Sequence, residues 1–291
     1  MAWPIQGAER GSLRIIFYTD VHAKPGGGVP TALKIVADRI NARQPDLVLG
    51  GGDLVEGDFH SSALDVAPNW DAYMAMHRAI KSEHHVAIGN RDLMGVLPKD
   101  GSAPVADPRL IFKRRLGLTT TYQAFDALGY HVMLLDSVHI SGDKYKYHGH
   151  IAQEQQEWIK AELSRIPHGK PIVLVLHLPL LTAHFGAVRG MTFQAEPNRV
   201  VDNNTDVLAL FAAHNLVLVL QGHLHVSELL RWGSTTFITG GAVCGRWWRG
   251  SYFGTPEGFN GITLRADRVE WEYFDYGWHA SGPVRDRRSP P

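Results

Sequence analysis

Short, nearly unbroken apolar runs alternate along the chain with segments whose apolar residues recur every three or four positions. Leu13–Tyr18 is the first run and leads into Asp20; Val29–Arg43 follows with Leu33, Ile35, Val36 and Ile40 at helical spacing until Gln-Pro stops it. The pattern predicts further strands at Leu47–Leu49, His85–Ile88, Tyr122–Phe125, His131–Leu135, Ile172–Leu176 and Leu216–Leu220. It predicts helices at Trp70–Ile80, at Gln153–Ile166, where Trp158, Ile159 and Leu163 share one face, and near Thr205–His214. The chain closes on strand-like sequence at Thr235–Thr239, Gly261–Arg265 and Val269–Tyr276. Strands that read as continuous apolar runs between helices imply an α/β fold with sheets covered by helices. Such sheets place ligands beyond the carboxyl ends of their strands. No repeat, linker or break in composition divides the chain, so one domain is expected over residues 1–279, with residues 280–291, rich in Arg, Ser and Pro, as a loose tail.

Composition narrows this picture little. With 291 residues, 44% hydrophobic and 20% charged, the chain has an ordinary globular make-up, which excludes disordered and fibrous classes. Lys+Arg and Asp+Glu balance at 29 each, so there is no strong nucleic-acid signal, and the oligomeric state cannot be read. The single Cys244 permits no internal disulfide, and no apolar run approaches the ~20 residues of a membrane span. The first residues lack the pattern of a secretory leader, so the cytoplasm is the expected compartment unless a leader has been cleaved.

Chemistry gathers where the strands end. Asp20-x-His22, Gly52-Asp53, Gly89-Asn90, His177 and Gly222-His223-x-His225 each follow a predicted strand. Singly, each has an ordinary reading as a cap, turn or core polar residue. Together they offer imidazoles, carboxylates and one amide with no thiolate, a donor set suited to Mn, Fe or Zn. Asp20 and His22, like His223 and His225, are two apart, so in extended backbone each pair leaves on one side. Gly52, Gly89 and Gly222 precede ligands where a Cβ would crowd the turn. With Cys244 outside these motifs and no Ser elbow, no side-chain nucleophile presents itself. The motifs H-x-H-x-D-H and H-E-x-x-H of other metallohydrolases are absent.

In this order the five motifs, with GDLVEG around Asp53, resemble the calcineurin-like metallophosphoesterase superfamily. The resemblance implies two packed β-sheets flanked by helices, a four-layer αββα sandwich. It implies two divalent ions per chain, one held by Asp20, His22, Asp53 and His225 and the other by Asp53, Asn90, His177 and His223, with Asp53 bridging. It implies hydrolysis of a small phosphoester by a metal-bound hydroxide, with Asn90, Arg91 and Asp92 at the catalytic centre. Most members carry His after Gly-Asn to assist the leaving group. Here the residue is Arg91, which stays charged and donates no proton; Asp92 is expected to hold its guanidinium in place. That departure favours phosphodiesters over phosphomonoesters. The alternatives are a phosphomonoesterase of the same fold, or a metal-binding scaffold without activity, although no ligand is missing. Arg246, Trp247, Trp248 and Tyr252, in a glycine-rich aromatic loop, and His184 are the candidate substrate contacts, with His148 and His150 weaker ones. Selectivity is expected in loops 58–70, 99–108 and 182–203, and the sequence names no substrate.

Overall fold

The computed structural model describes residues 12–280 except Asp100, so the expected tail, apart from Ala280, lies outside the described residues. In chain order the elements are β1 (Leu13–Tyr18), α1 (Val29–Ala42), β2 (Leu47–Gly50), α2 (Ala63–Ala79), β3 (Glu83–Val86), α3 (Leu110–Leu116), β4 (Gln123–Ala127), β5 (Tyr130–Leu134), β6 (Val138–Ile140) and β7 (Tyr147–Gly149). They continue with α4 (Gln153–Leu163), β8 (Pro171–Leu176), α5 (His184–Arg189), α6 (Asn204–Leu210), β9 (Asn215–Gln221), β10 (Glu228–Trp232), β11 (Thr235–Thr239), β12 (Gly258–Leu264) and β13 (Val269–Asp275).

Two mixed sheets form the centre. One runs β13-β12-β1-β2-β3, the other β10-β11-β9-β8-β5-β4, and β6 and β7 make a separate hairpin. Each sheet has a parallel middle: β1, β2 and β3 in the first, β5, β8, β9 and β11 in the second. The alternation within each run shows how the layers stack. Leu13, Ile15 and Phe17 of β1 pack with Val132, Leu134, Val173, Val175, Leu218 and Leu220 of the other sheet, forming the core between sheets. Ile16 and Tyr18 turn the opposite way, into a cluster with Leu33, Val36 and Ile40 of α1 and Trp70 and Tyr73 of α2. Leu174 and Leu176 likewise share that second cluster with Ile159 and Leu163 of α4 and Val207 of α6. Runs apolar on both faces are thus buried between a sheet and a helix layer, and the result is one domain with two mixed sheets flanked by helices. No helix among the described residues is long and apolar enough to cross a membrane.

Helix α2 starts well before the expected Trp70. Ser62 caps it in a reciprocal box, its hydroxyl accepting from Asp65 N while the Asp65 carboxylate accepts from Ser62 N, and Pro68 is accommodated inside the helix. The expected selectivity loop 58–70 is therefore half helix.

Candidate active site

Each parallel strand β1, β2, β3, β8 and β9 releases the chain at its carboxyl end into a loop bearing one of the five motifs, and the structure brings all of them together. His22 Nε2 lies 3.6 Å from Asp53 Oδ2, and His177 Nε2 lies 3.3 Å from Asp53 Oδ1. The two oxygens of Asp53 thus face two different histidines. His225 Nε2 is 3.2 Å from Asp20 Oδ1, His177 Nε2 is 3.2 Å from Asn90 Oδ1, and His223 Nδ1 is 3.3 Å from His177 Nε2. All seven residues are buried.

The backbone that achieves this is not extended, as the two-residue spacing suggests. Asp20, His22, Asp53, His223 and His225 all have positive φ, between 44° and 72°. Left-handed backbone is unfavourable for side-chain-bearing residues and persists where surrounding bonds over-determine it. Those bonds are present: Asp20 N donates to Gly52 O, His22 N to Asp53 O, and His223 N to Asp20 Oδ2. Gly89 and Gly222 permit close approach, since a Cβ would sit 2.2 Å from Asp53 N at the first and 2.2 Å from Thr19 Oγ1 at the second.

Outer bonds set the histidine tautomers. His177 Nδ1 donates to Gly51 O at 2.7 Å, His225 Nδ1 to Gly245 O at 2.6 Å and His223 Nε2 to Asn198 O at 3.0 Å. Each leaves its other nitrogen as a lone-pair donor turned into the cluster, the arrangement that orients metal-binding imidazoles. Asp20 Oδ1 and both His22 nitrogens are buried without a hydrogen-bond partner. Orphaned lone pairs of this kind, with carboxylate and imidazole donors within 4.8 Å of one another in the sets Asp20/His22/Asp53 and Asp53/His177/His223, fit divalent cations. Burial alone would raise both carboxyls, but the positive charge that neighbouring imidazoles carry when they hold a proton in place of a cation outweighs it. His225 and His177 hold Asp20 at about 2, and His177, His22 and His223 keep Asp53 well below the carboxylate range.

Asp92 does not steady Arg91. Its Oδ1 accepts from Leu54 N at 2.8 Å and its Oδ2 from Gly89 N at 2.8 Å, so this buried carboxyl clamps the Asp53 loop to the Asn90 turn. Burial and the nearby Asp53 push its pKa up. The Arg91 backbone N–H donates to Asp53 Oδ1 at 2.7 Å, and its guanidinium reaches Gly57 O at 3.2 Å while lining the cavity above the cluster.

That cavity, of about 280 Å³, is also lined by His184, Trp247 and Tyr252, three of the candidate substrate contacts. Arg246 and Trp248 do not line it. Arg246 is exposed elsewhere, and Trp248 is buried, donating from Nε1 to His22 O at 2.9 Å and packing edge-on to Trp278. His148 and His150 sit by the hairpin instead, against Asp143 and Asp202. Cys244 is not remote: its Sγ is 3.8 Å from His225 Nδ1, but burial raises the thiol's pKa and it points to Gly245 O, so it remains a poor nucleophile. Glu56, whose Oε2 lies 3.5 Å from His22 Nδ1, and Tyr147, Phe253, Arg189 and Arg199 are site residues the sequence reading passed over. Glu56 stands inside the quoted GDLVEG and was findable. The two arginines lie in loop 182–203, where nothing marked them individually.

A sequence model of the calcineurin-like phosphoesterase family matches residues 13–227. Among solved structures, a dimetal phosphatase from Danio rerio superposes with a TM-score of 0.65 at 16% identity, covering 90% of this chain and 95% of that one. GAP50, the anchor in the inner membrane complex of Plasmodium, gives 0.57 at 13% identity over 92% and 85% of the two chains. A putative 5'-nucleotidase from Staphylococcus aureus gives 0.54 at 15%, over 90% of this chain but 53% of that one. Identities this low establish the shared fold alone. No curated protein sequence matches the chain significantly.

Proposed function

The chain belongs to the calcineurin-like phosphoesterase family, and from that premise we propose that it hydrolyses phosphodiesters at a centre of two divalent cations. The supporting observation is the convergence of seven donor residues from five strand ends, with the two Asp53 oxygens facing opposite histidines. Asp20, His22, Asp53 and His225 would hold one ion; Asp53, Asn90, His177 and His223 would hold the other. When bound, such ions supply positive charge to the phosphoryl oxygens and make water acidic enough to attack near neutral pH. Mn, Fe or Zn suits this mixed nitrogen and oxygen set.

The protein's own groups complete the chemistry. His177, His223 and His225 are locked in ring orientation by the carbonyls of Gly51, Asn198 and Gly245, so little reorganisation is needed when phosphate arrives. Arg91 presents a fixed cation, anchored at Gly57 O, where a proton donor would otherwise stand. His184, another imidazole lining the cavity, is pushed below its usual pKa by burial, so it holds a proton less readily and is a poor stand-in as proton donor. A cation with no transferable proton suits substrates whose leaving group departs unaided and whose phosphate carries one charge. Purified protein loaded with Mn should turn over bis(p-nitrophenyl) phosphate with a higher kcat/KM than p-nitrophenyl phosphate. The reverse order would make it a monoesterase, and no turnover of either would remove the hydrolase reading.

A further inference from the structure

The cavity has a wall that phosphate chemistry does not require. It starts at the cluster, where the Trp247 ring lies 4.5 Å from that of His225. From Trp247 the rings continue to Tyr252 at 5.8 Å, Phe253 at 4.7 Å, His184 at 5.1 Å and Phe185 at 5.3 Å, each close to edge-on to the one before. All five line the cavity.

Exposure separates this wall from ordinary packing. Trp248, next along the same loop, is buried as core, whereas Trp247, Tyr252, Phe253, His184 and Phe185 are all only half-buried. Large aromatic surface left open above a reactive cluster is a binding face. The backbone is also held in an unfavourable state to present it. Trp247 and Phe253 have φ of 49° and 47°, as the buried Trp248 does at 63°, where bulky side chains are outliers. Their loop is tied to the ligand-bearing segments: Val243 N donates to Thr19 O, Cys244 N to Asp20 O and Trp248 Nε1 to His22 O. The wall is therefore fixed relative to the cluster.

We propose that this wall is a stacking subsite for a planar aromatic ring, a nucleobase or an aryl group, on the part of the phosphoester that is retained rather than expelled. The inference rests on the phosphodiesterase reading above. Ring faces stack on any planar π-system, so the subsite selects for an aromatic ring without reading its identity. Arg189, over the Phe193 ring at 4.7 Å, and Glu196 line the same cavity beyond the rings.

The test uses diesters that share a p-nitrophenolate leaving group and differ only in the retained group: methyl, cyclohexyl, phenyl or thymidine 5'-yl. Phenyl and thymidine esters should exceed methyl and cyclohexyl esters roughly tenfold or more in kcat/KM, as stacking of one ring predicts. Phe253→Leu and Tyr252→Leu should bring that ratio toward one. Cyclohexyl matching phenyl would mean a merely apolar slot, and equal rates across the series would mean no subsite; either result overturns the proposal. Calorimetric binding of phenylphosphonate against cyclohexylphosphonate to the Mn-loaded protein gives a readout independent of turnover. If no diester is cleaved, the phosphodiesterase reading fails while this comparison still decides the wall, and equal affinities overturn it.

Discussion

The Asp53 carboxylate faces His177 through one oxygen and His22 through the other, so a single substitution is expected to affect both halves of the centre. Asp53→Asn should cut bound metal from close to two ions per chain to below one and lower turnover at least a hundredfold. Plasma mass spectrometry of the dialysed variant checks this, and full occupancy would refute the bridging assignment. Arg91 and Asp92, adjacent in sequence, divide into different roles. Arg91→His restores a titratable donor, worth on the order of 10²-fold where leaving-group protonation is limiting. The variant should therefore flatten the dependence of rate on leaving-group pKa by accelerating alkyl esters; an unchanged slope would place Arg91 outside the chemistry. Asp92→Ala should act on folding, because it strands the buried amides of Leu54 and Gly89. A loss of about 3 kcal/mol in urea unfolding is expected from unsatisfied buried donors. A variant as stable as the parent would mean that the clamp is dispensable.

At the scale of elements, the parallel strands were legible because runs such as Ile172–Leu176 are apolar on both faces, and the motifs were legible because they sit where those runs stop. The short elements α3, α5, β10 and the β6–β7 hairpin carry too few residues for a period to show. The start of α2 was hidden by Pro68, which reads as a breaker although Ser62 caps the helix upstream. Left-handed backbone at Asp20, His22, His223 and His225 was also invisible. It is imposed by hydrogen bonds across loops distant in sequence rather than by local propensity. For the same reason Asp92 was mistaken for a partner of its neighbour, when its acceptor contacts to Leu54 and Val55 lie across the site. Strand β3 and helix α2 give a prediction of their own. His84 accepts or donates a hydrogen bond with Tyr18 Oη at 2.7 Å, and its ring lies 4.2 Å from that of His77. Burial drives its pKa well below the ordinary value, with His77 and His85 adding to the effect. Below about pH 6.5 the unfolded chain therefore binds a proton that the folded chain refuses, so this residue's contribution to stability is lost as pH falls, by up to ~1.4 kcal/mol per unit. Urea midpoints at mildly alkaline and mildly acidic pH should show a smaller loss for His84→Gln than for the parent. An equal loss would assign the pH dependence to other groups.

Across the whole molecule, the two sheets serve one arrangement. Strands β1, β2 and β3 of the first sheet and β8 and β9 of the second deliver the seven Asp, Asn and His side chains to one cluster. The chain beyond β11 returns to cover it with Trp247 and Tyr252, while Trp248 is sealed against Trp278. The core between the sheets, through residues such as Phe17, Leu49, Val175 and Leu220, sets the distance between the side chains that the first sheet brings and those that the second brings. The phosphodiesterase reading depends on that distance admitting two ions that share Asp53. The most direct measurement is a titration of metal-free protein with Mn while hydrolysis of bis(p-nitrophenyl) phosphate is followed. The account predicts negligible turnover before metal and a rise that levels off close to two ions per chain. Turnover that persists in chelator, or a plateau at one ion, would contradict it.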